Sequence, residues 1–252
     1  MNIYKKFKRH IHFTGSAGLY HYQLGVANII AQEFPEGLKT TFITGSSGGS
    51  LPAILTRLYP NITFTEVLEN TTKKILNDCS KSWTGIYFNY QHYSDLYSKI
   101  MSQQYFNKYK HPIVNDVNNS VGIFVTMKKN NNFIFNINNY DTRMFSNWED
   151  ENDFLSCFTS SYFVPIYHRN KLMTKYKNTK CFDGSLFYND NLLLKIKSEI
   201  KGPQLLICPF MWRKFSYFDY IVSSNYNHHV NLFFLGCQDA RNNINQLREF
   251  FN

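Results

Sequence analysis

Gly45-Ser46-Ser47-Gly48-Gly49 fits the pattern G-x-S-x-G, and Asp183-Gly184-Ser185 follows far downstream. The first pattern puts a serine on a sharp strand-to-helix turn that pushes its hydroxyl out of the fold, where it can act as a nucleophile. The flanks agree with that geometry. Residues 40–44 (TTFIT) read as a buried strand, and Leu51-Pro52-Ala53-Ile54-Leu55 reads as a helix. Pro52 then falls in the first helical turn, where a missing N–H costs nothing. The competing reading is a Gly/Ser-rich turn without chemistry, a standing risk for any short motif. The strand before Ser47 and the helix after it favour the elbow.

The elements that would position this serine follow from periodicity. Residues 10–15 form a first strand that ends in a glycine loop, and Leu19 to Phe34 is helical, with Val26, Ile29 and Ile30 on its apolar face. Pro35-Glu36-Gly37 stops that helix, strand two follows at 40–44, and the helix after Ser47 runs to about Tyr59. A strand–helix–strand–helix start implies parallel strands joined by right-handed crossovers. Glu66 to Cys79 and Tyr93 to Tyr109 read as two further helices. Val121 to Lys128 and Asn132 to Asn138 read as a hairpin. Glu149 to Ser160 is helical. A basic, turn-like segment (171–180) leads to a strand at 180–182, and Gln204 to Cys208 and Leu232 to Leu235 are further strands. Cys237 to Phe250 closes the chain as an amphipathic helix. The expectation is one three-layer α/β/α domain over residues 1–252, with a mainly parallel central sheet.

Composition narrows the class. The chain has 252 residues, 43% of them hydrophobic, which suits a single domain with a substantial core. The abundant Asn residues are dispersed among apolar segments, as nucleotide bias in the encoding genome would leave them. Five cysteines are scattered without C-x-x-C spacing, which argues against a zinc site and a disulfide framework and suits a reducing, cytoplasmic setting. No apolar run reaches about 18 residues, and the segment from Tyr4 to His10 lacks a signal-peptide core. The net charge of +9 comes with no nucleic-acid-binding motif, so an anionic membrane or lipid surface is the expected partner.

The common α/β-hydrolase plan sets several strands before the nucleophile, whereas here one strand and one helix precede Ser47. A glycine loop, Phe13-Thr14-Gly15-Ser16-Ala17-Gly18, sits directly after strand one. The order of glycine loop, serine elbow and Asp-Gly resembles the patatin-like phospholipase family, and Phe13-Thr14-Gly15 with Tyr22 and Gly25-Val26-Ala27 is most similar to its adipose triglyceride lipase-like branch. Further segments extend the resemblance over roughly residues 12–250. These are Phe154-Leu155-Ser156-Cys157 with Ser160-Ser161 and Phe163-Val164-Pro165, then Asn189-Asp190-Asn191, Cys208-Pro209-Phe210, and Gly236 to Ala240.

The resemblance implies a serine lipid acyl hydrolase with a Ser–Asp dyad: Ser47 as nucleophile and Asp183 as general base. A carboxylate at its ordinary pKa is a poor base, so the site must hold it near the hydroxyl and away from bulk water. Gly15, Ser16, Ala17 and Gly18 would offer backbone N–H groups to the oxyanion. Gly45 and Gly49 would shape the elbow, and Gly184 and Ser185 the turn after the base. The substrate would be a phospholipid or acylglycerol ester, with no metal or organic cofactor. Two departures stand out. The family's G-x-G-x-x-G becomes Gly15, Ala17 and Tyr20, with Gly18 displaced by one, which affects permitted backbone angles rather than donors. Ser185 replaces the usual Gly or Ala and brings a hydroxyl able to compete for the carboxylate.

Other candidates carry less. The eight histidines suit core or surface roles, His168 being the first to test because it precedes Asp183. Ser160-Ser161 caps or packs a turn, and Glu149-Asp150-Glu151 is the acidic first turn of a helix. Lys171, Lys175, Lys177 and Lys180 form a basic stretch, either a solvated hairpin or a contact with an anionic lipid surface. Two alternatives stay open on sequence alone: a lipid-binding protein of weak catalytic power, and a Ser–His–Asp esterase.

Overall fold

The computed structural model describes residues 3–80, 90–129, 139–164, 172–186, 190–216, 219, 223 and 225–252. In chain order the regular elements are β1 (Arg9–Phe13), α1 (Tyr20–Glu33), α2 (Pro35–Lys39), β2 (Thr41–Ser46) and α3 (Ser50–Leu58). Then come α4 (Phe64–Glu66), a π-helical segment Val67–Thr72, α5 (Lys73–Ser80), α6 (Tyr90–Tyr109) and α7 (Val114–Val117). They are followed by β3 (Val121–Lys128), β4 (Tyr140–Phe145), α8 (Glu151–Ser161), β5 (Thr174–Tyr176) and β6 (Thr179–Asp183). The chain continues through α9 (Asp190–Ile200), β7 (Gln204–Ile207), α10 (Tyr226–Asn242) and α11 (Ile244–Phe251).

The seven strands form one sheet whose hydrogen-bonded neighbours run β5-β6-β3-β2-β1-β7, with β4 also paired to β3. β7, β1, β2 and β3 are mutually parallel, and β4, β5 and β6 join antiparallel. Strand alternation divides the core between the two faces. Ile11, Phe13, Ile43 and Val125 face one way, into the large cluster shared with α1, α3, α8 and α10. Phe42 and Phe124 face the other way, against Phe7 and the α9 residues Leu193, Ile196 and Ile200. Helices therefore cover both faces, giving the expected three-layer α/β/α arrangement. β2 is buried along its whole length, as a central parallel strand must be.

Several expectations change. Leu232–Leu235 lies inside α10 and is not a strand; Leu232 and Phe233 are buried while Phe234 is exposed, the one-sided pattern of a helix. A four-residue apolar run cannot by itself separate the two. The closing helix is split at Asn243 into α10 and α11. The strand paired back onto β3 is Tyr140–Phe145; residues 132–138, where its sequence signal lay, fall outside the described residues. Pro35 ends α1 and also opens α2 from its first turn. The helix expected at 66–79 is interrupted by one π-helical segment. α9 and α7 had no clear sequence signal. The basic segment before Asp183 is a tight hairpin, β5–β6, turning at Lys177 (φ 45°) and Asn178 (φ 59°), the double left-handed turn that matches strand twist. Among the described residues, no helix is long and apolar enough to cross a membrane.

Candidate active site

The pairing on β3 decides where the two motifs meet. β4 pairs with β3 residues 123–128, which fills one edge of that strand. Both β2 (against 121–124) and β6 (against 125–127) must then occupy the opposite edge. β2 runs parallel to β3 and ends at Ser46, opposite Phe124; β6 runs antiparallel and ends at Asp183, opposite Val125. Two strands thus converge carboxyl end to carboxyl end, and the turns leaving them carry Ser47 and Asp183.

Ser47 adopts φ 52°, the left-handed conformation that a sharp elbow demands of a residue with a side chain. It opens a 3-10 turn, Ser47–Gly49, that runs into α3. Gly45 packs so tightly beneath this turn that a Cβ there would overlap the Gly49 carbonyl and lie 2.6 Å from Ser50 Cα. The Ser47 hydroxyl donates to Asp183 Oδ2 at 2.5 Å. Asp183 is 2% exposed and Ser47 7%. Burial pushes the Asp183 carboxyl up from its ordinary value to about 6, against the opposing pull of hydrogen bonds from Ser47 and Ser185. A carboxyl group in that range accepts a proton near neutral pH far more readily than an ordinary aspartate.

The turn after the base is held from both sides. The Ser185 N–H donates to Asp183 Oδ1 at 2.8 Å, which leaves Oδ2 to Ser47. The Ser185 hydroxyl is directed at Ser46 Oγ, 3.1 Å away, so it braces the end of β2 in addition to lying beside the carboxylate. The Asp183 N–H donates to the Phe163 carbonyl (2.9 Å) and the Gly184 N–H to the Ser161 carbonyl (2.8 Å). The Ser47 N–H donates to Ser161 Oγ (3.1 Å), which lies 2.8 Å from Ser50 Oγ. The sequence reading had Ser160-Ser161 capping or packing a turn and counted the pair in the resemblance, without linking Ser161 to the elbow.

The glycine loop lies against the same site. A Cβ on Gly15 would overlap Ser185 Oγ and stand 3.3 Å from Ser47 Cβ. Ala17 carries the left-handed turn itself (φ 44°), and Gly18 lies within the 3-10 turn Ala17–Leu19 without replacing it. Among the described residues no acceptor pairs with the amides of Gly15, Ser16 or Ala17. The loop therefore brings unpaired N–H donors beside a buried serine–carboxylate pair.

Among the described residues no imidazole bonds to Ser47 or Asp183. His10 and His12 both meet Thr44 Oγ1 at 2.8 Å on the α9 face of the sheet. His21 and His229 meet through their Nδ1 atoms at 2.8 Å between α1 and α10. Burial lowers the His10 pKa to about 3 and that of His229 to about 4, so both are neutral structural groups. His168 lies outside the described residues. Asp150 caps α8 by accepting the Asp153 N–H at 2.8 Å, and Glu151 opens the helix. No group of three His, Cys, Asp or Glu among the described residues is arranged to hold a metal ion.

Three of the four lysines lie among the described residues. Lys171 lies outside the described residues. Lys177, at the hairpin turn, pairs with Asp153 at 3.1 Å. Lys175 and Lys180 stand directly opposite each other, both exposed. Extending the β3–β6 register by one residue brings Lys128 beside Lys180 on the same face.

No protein-family model matches the chain, and no curated protein sequence matches it.

Proposed function

We propose that this protein is a serine acyl hydrolase that cleaves carboxylic ester bonds of lipids, similar in plan to patatin-like phospholipases. The observation that carries the reading is the buried 2.5 Å contact between Ser47 Oγ and Asp183 Oδ2, beside a loop of unpaired amides. In the first step Ser47 Oγ bonds to the ester carbonyl carbon as its proton passes to Asp183 Oδ2. The carbonyl oxygen, now an oxyanion, is stabilised by the amides of residues 15–17. Collapse breaks the bond to the alcohol oxygen, which leaves with the proton from Asp183, and Ser47 stays acylated. Water then repeats the sequence: its proton goes to Asp183, its oxygen to the acyl carbon, and Ser47 departs reprotonated as the free acid leaves.

The lipid side of the reading draws on the rim. Leu186, 47% exposed, follows the turn after Asp183, and Phe210, 48% exposed, follows the carboxyl end of β7, two strands along the sheet from β2. Lys128, Lys175 and Lys180 supply cations for an anionic lipid surface. The test is hydrolysis of a soluble short-chain ester and of phospholipid vesicles, with Ser47→Ala as the blank. Turnover lost in the variant supports the reading. Binding of vesicles without turnover would leave a lipid-binding protein that keeps this fold.

A further inference from the structure

We infer that Ser161 is the positioning residue of the dyad: it fixes the nucleophile's elbow and the turn of the base to a single point, the end of α8. The inference rests on the acyl-hydrolase reading for its kinetic consequence and on hydrogen-bond geometry for the rest.

A helix leaves its last carbonyls without intrahelical partners. At the end of α8 the Ser161 carbonyl takes the Gly184 N–H at 2.8 Å, and two residues on, the Phe163 carbonyl takes the Asp183 N–H at 2.9 Å. The Asp-Gly turn is thereby hung on the helix end by backbone alone, whatever the side chain at 161. The Ser161 hydroxyl adds what backbone cannot: it accepts the Ser47 N–H at 3.1 Å and lies 2.8 Å from Ser50 Oγ on the first turn of α3. Ser161 and Ser50 are both fully buried, so no water competes for these bonds. Ser47 holds a left-handed φ, and its amide has this one acceptor among the described residues. Strained backbone persists where its surroundings over-determine it; the close packing of Gly45 beneath the turn is one constraint here, and the Ser161 hydroxyl is the side-chain one.

Two consequences follow. The amide of Ser47 is taken, so oxyanion donation falls to the 15–17 loop. Removing the Ser161 oxygen frees the elbow to rotate Ser47 Oγ away from Asp183 Oδ2 without disturbing the Asp-Gly turn. The carboxyl would then lose one of the hydrogen bonds that hold its pKa down, and its titration would move up. The groups bonded to that carboxyl are the Ser47 hydroxyl and Ser185, with no charged neighbour contributing from β3 or α8.

The test compares Ser161→Thr with Ser161→Val, a pair of equal size differing in one oxygen, so that a packing defect affects both alike. Two readouts are taken. The first is the Asp183 carboxyl titration by ¹³C NMR, assigned with Asp183→Asn, and it requires no catalysis. The second is kcat and KM on a soluble short-chain ester. Ser161→Thr should keep the wild-type midpoint. Ser161→Val should raise it and lose about 10- to 100-fold in kcat at unchanged KM, the usual scale for a misplaced reacting group. Equal midpoints for Thr and Val would overturn the inference. A raised midpoint in Val, with no Ser47-dependent turnover even in wild type, would uphold the positioning role and sink the hydrolase reading instead.

Discussion

Ser46 and Asp183 are neighbours on the same edge of β3, one opposite Phe124 and the other opposite Val125, although they lie on strands that approach from opposite directions. Sheet pairing fixes their separation more tightly than loops could, and the catalytic atoms sit one residue beyond each strand or at its last position. Strand register thus brings the two turns together, and the hydrogen bond from the Ser47 amide to Ser161 sets the hydroxyl within the reach that register allows.

Ser47→Ala and Asp183→Asn should each remove at least about 1000-fold of ester turnover, and the double variant should be little worse than either single one, because groups acting as a unit do not add. Steady-state rates of the three variants decide this. An Asp183→Asn enzyme near the wild-type rate would exclude the aspartate as base.

The pH dependence follows from Asp183, whose carboxyl is raised to about 6 by burial. The base must be ionised to work, so kcat/KM should fall as pH drops through about 6. Stability runs the other way. A raised carboxyl pKa favours the protonated fold: its contribution is full below the unfolded value of about 3.9 and is lost as pH rises through about 6. Asp183→Asn should therefore melt higher than wild type at pH 7, by up to about 3 kcal/mol, with the gap closing near pH 4. Thermal melts across that range check the sign.

Ala17 sits at φ 44° in the loop beside the nucleophile. A left-handed residue with a Cβ costs about 1–2 kcal/mol, partly offset by the greater unfolded-state entropy of glycine. Ala17→Gly should stabilise by about 1 kcal/mol and keep or raise kcat, whereas Gly15→Ala should abolish activity by driving a Cβ into Ser185. Denaturation midpoints and turnover of the two variants separate these effects.

Lys175 and Lys180 face each other, an arrangement that costs stability unless an anion is met. Changing Lys128, Lys175 and Lys180 to Gln should weaken binding to anionic vesicles and flatten its salt dependence. Lys177→Gln should not, since that lysine is engaged with Asp153. Co-sedimentation at two salt concentrations reads the difference, and equal binding by the triple variant and wild type would make the lysines a plain solvated face.

The elbow, the parallel start and the Asp-Gly turn were legible because each depends on local chemistry: a buried strand, glycines, and a proline in a first turn. Even Gly25 and Gly236 mark a real crossing, where a Cβ on either would strike the partner helix's backbone. What stayed hidden depends on distant partners. Ser161 is an ordinary helix-end serine until the Ser47 amide is laid on it. Leu232–Leu235 reads as a strand until α10 is seen packed on α1. The lysine row becomes visible only once β3, β5 and β6 are set side by side, which replaces a run in sequence with a row across strands.

Labelling with a fluorophosphonate tests the central claim most directly, because the probe bonds only to an activated serine. The account predicts one adduct per chain, located on Ser47 by peptide mass spectrometry. It should be absent from Ser47→Ala, slowed in Asp183→Asn, and formed faster as pH rises through about 6. An unlabelled protein, or an adduct that persists in Ser47→Ala, would contradict it.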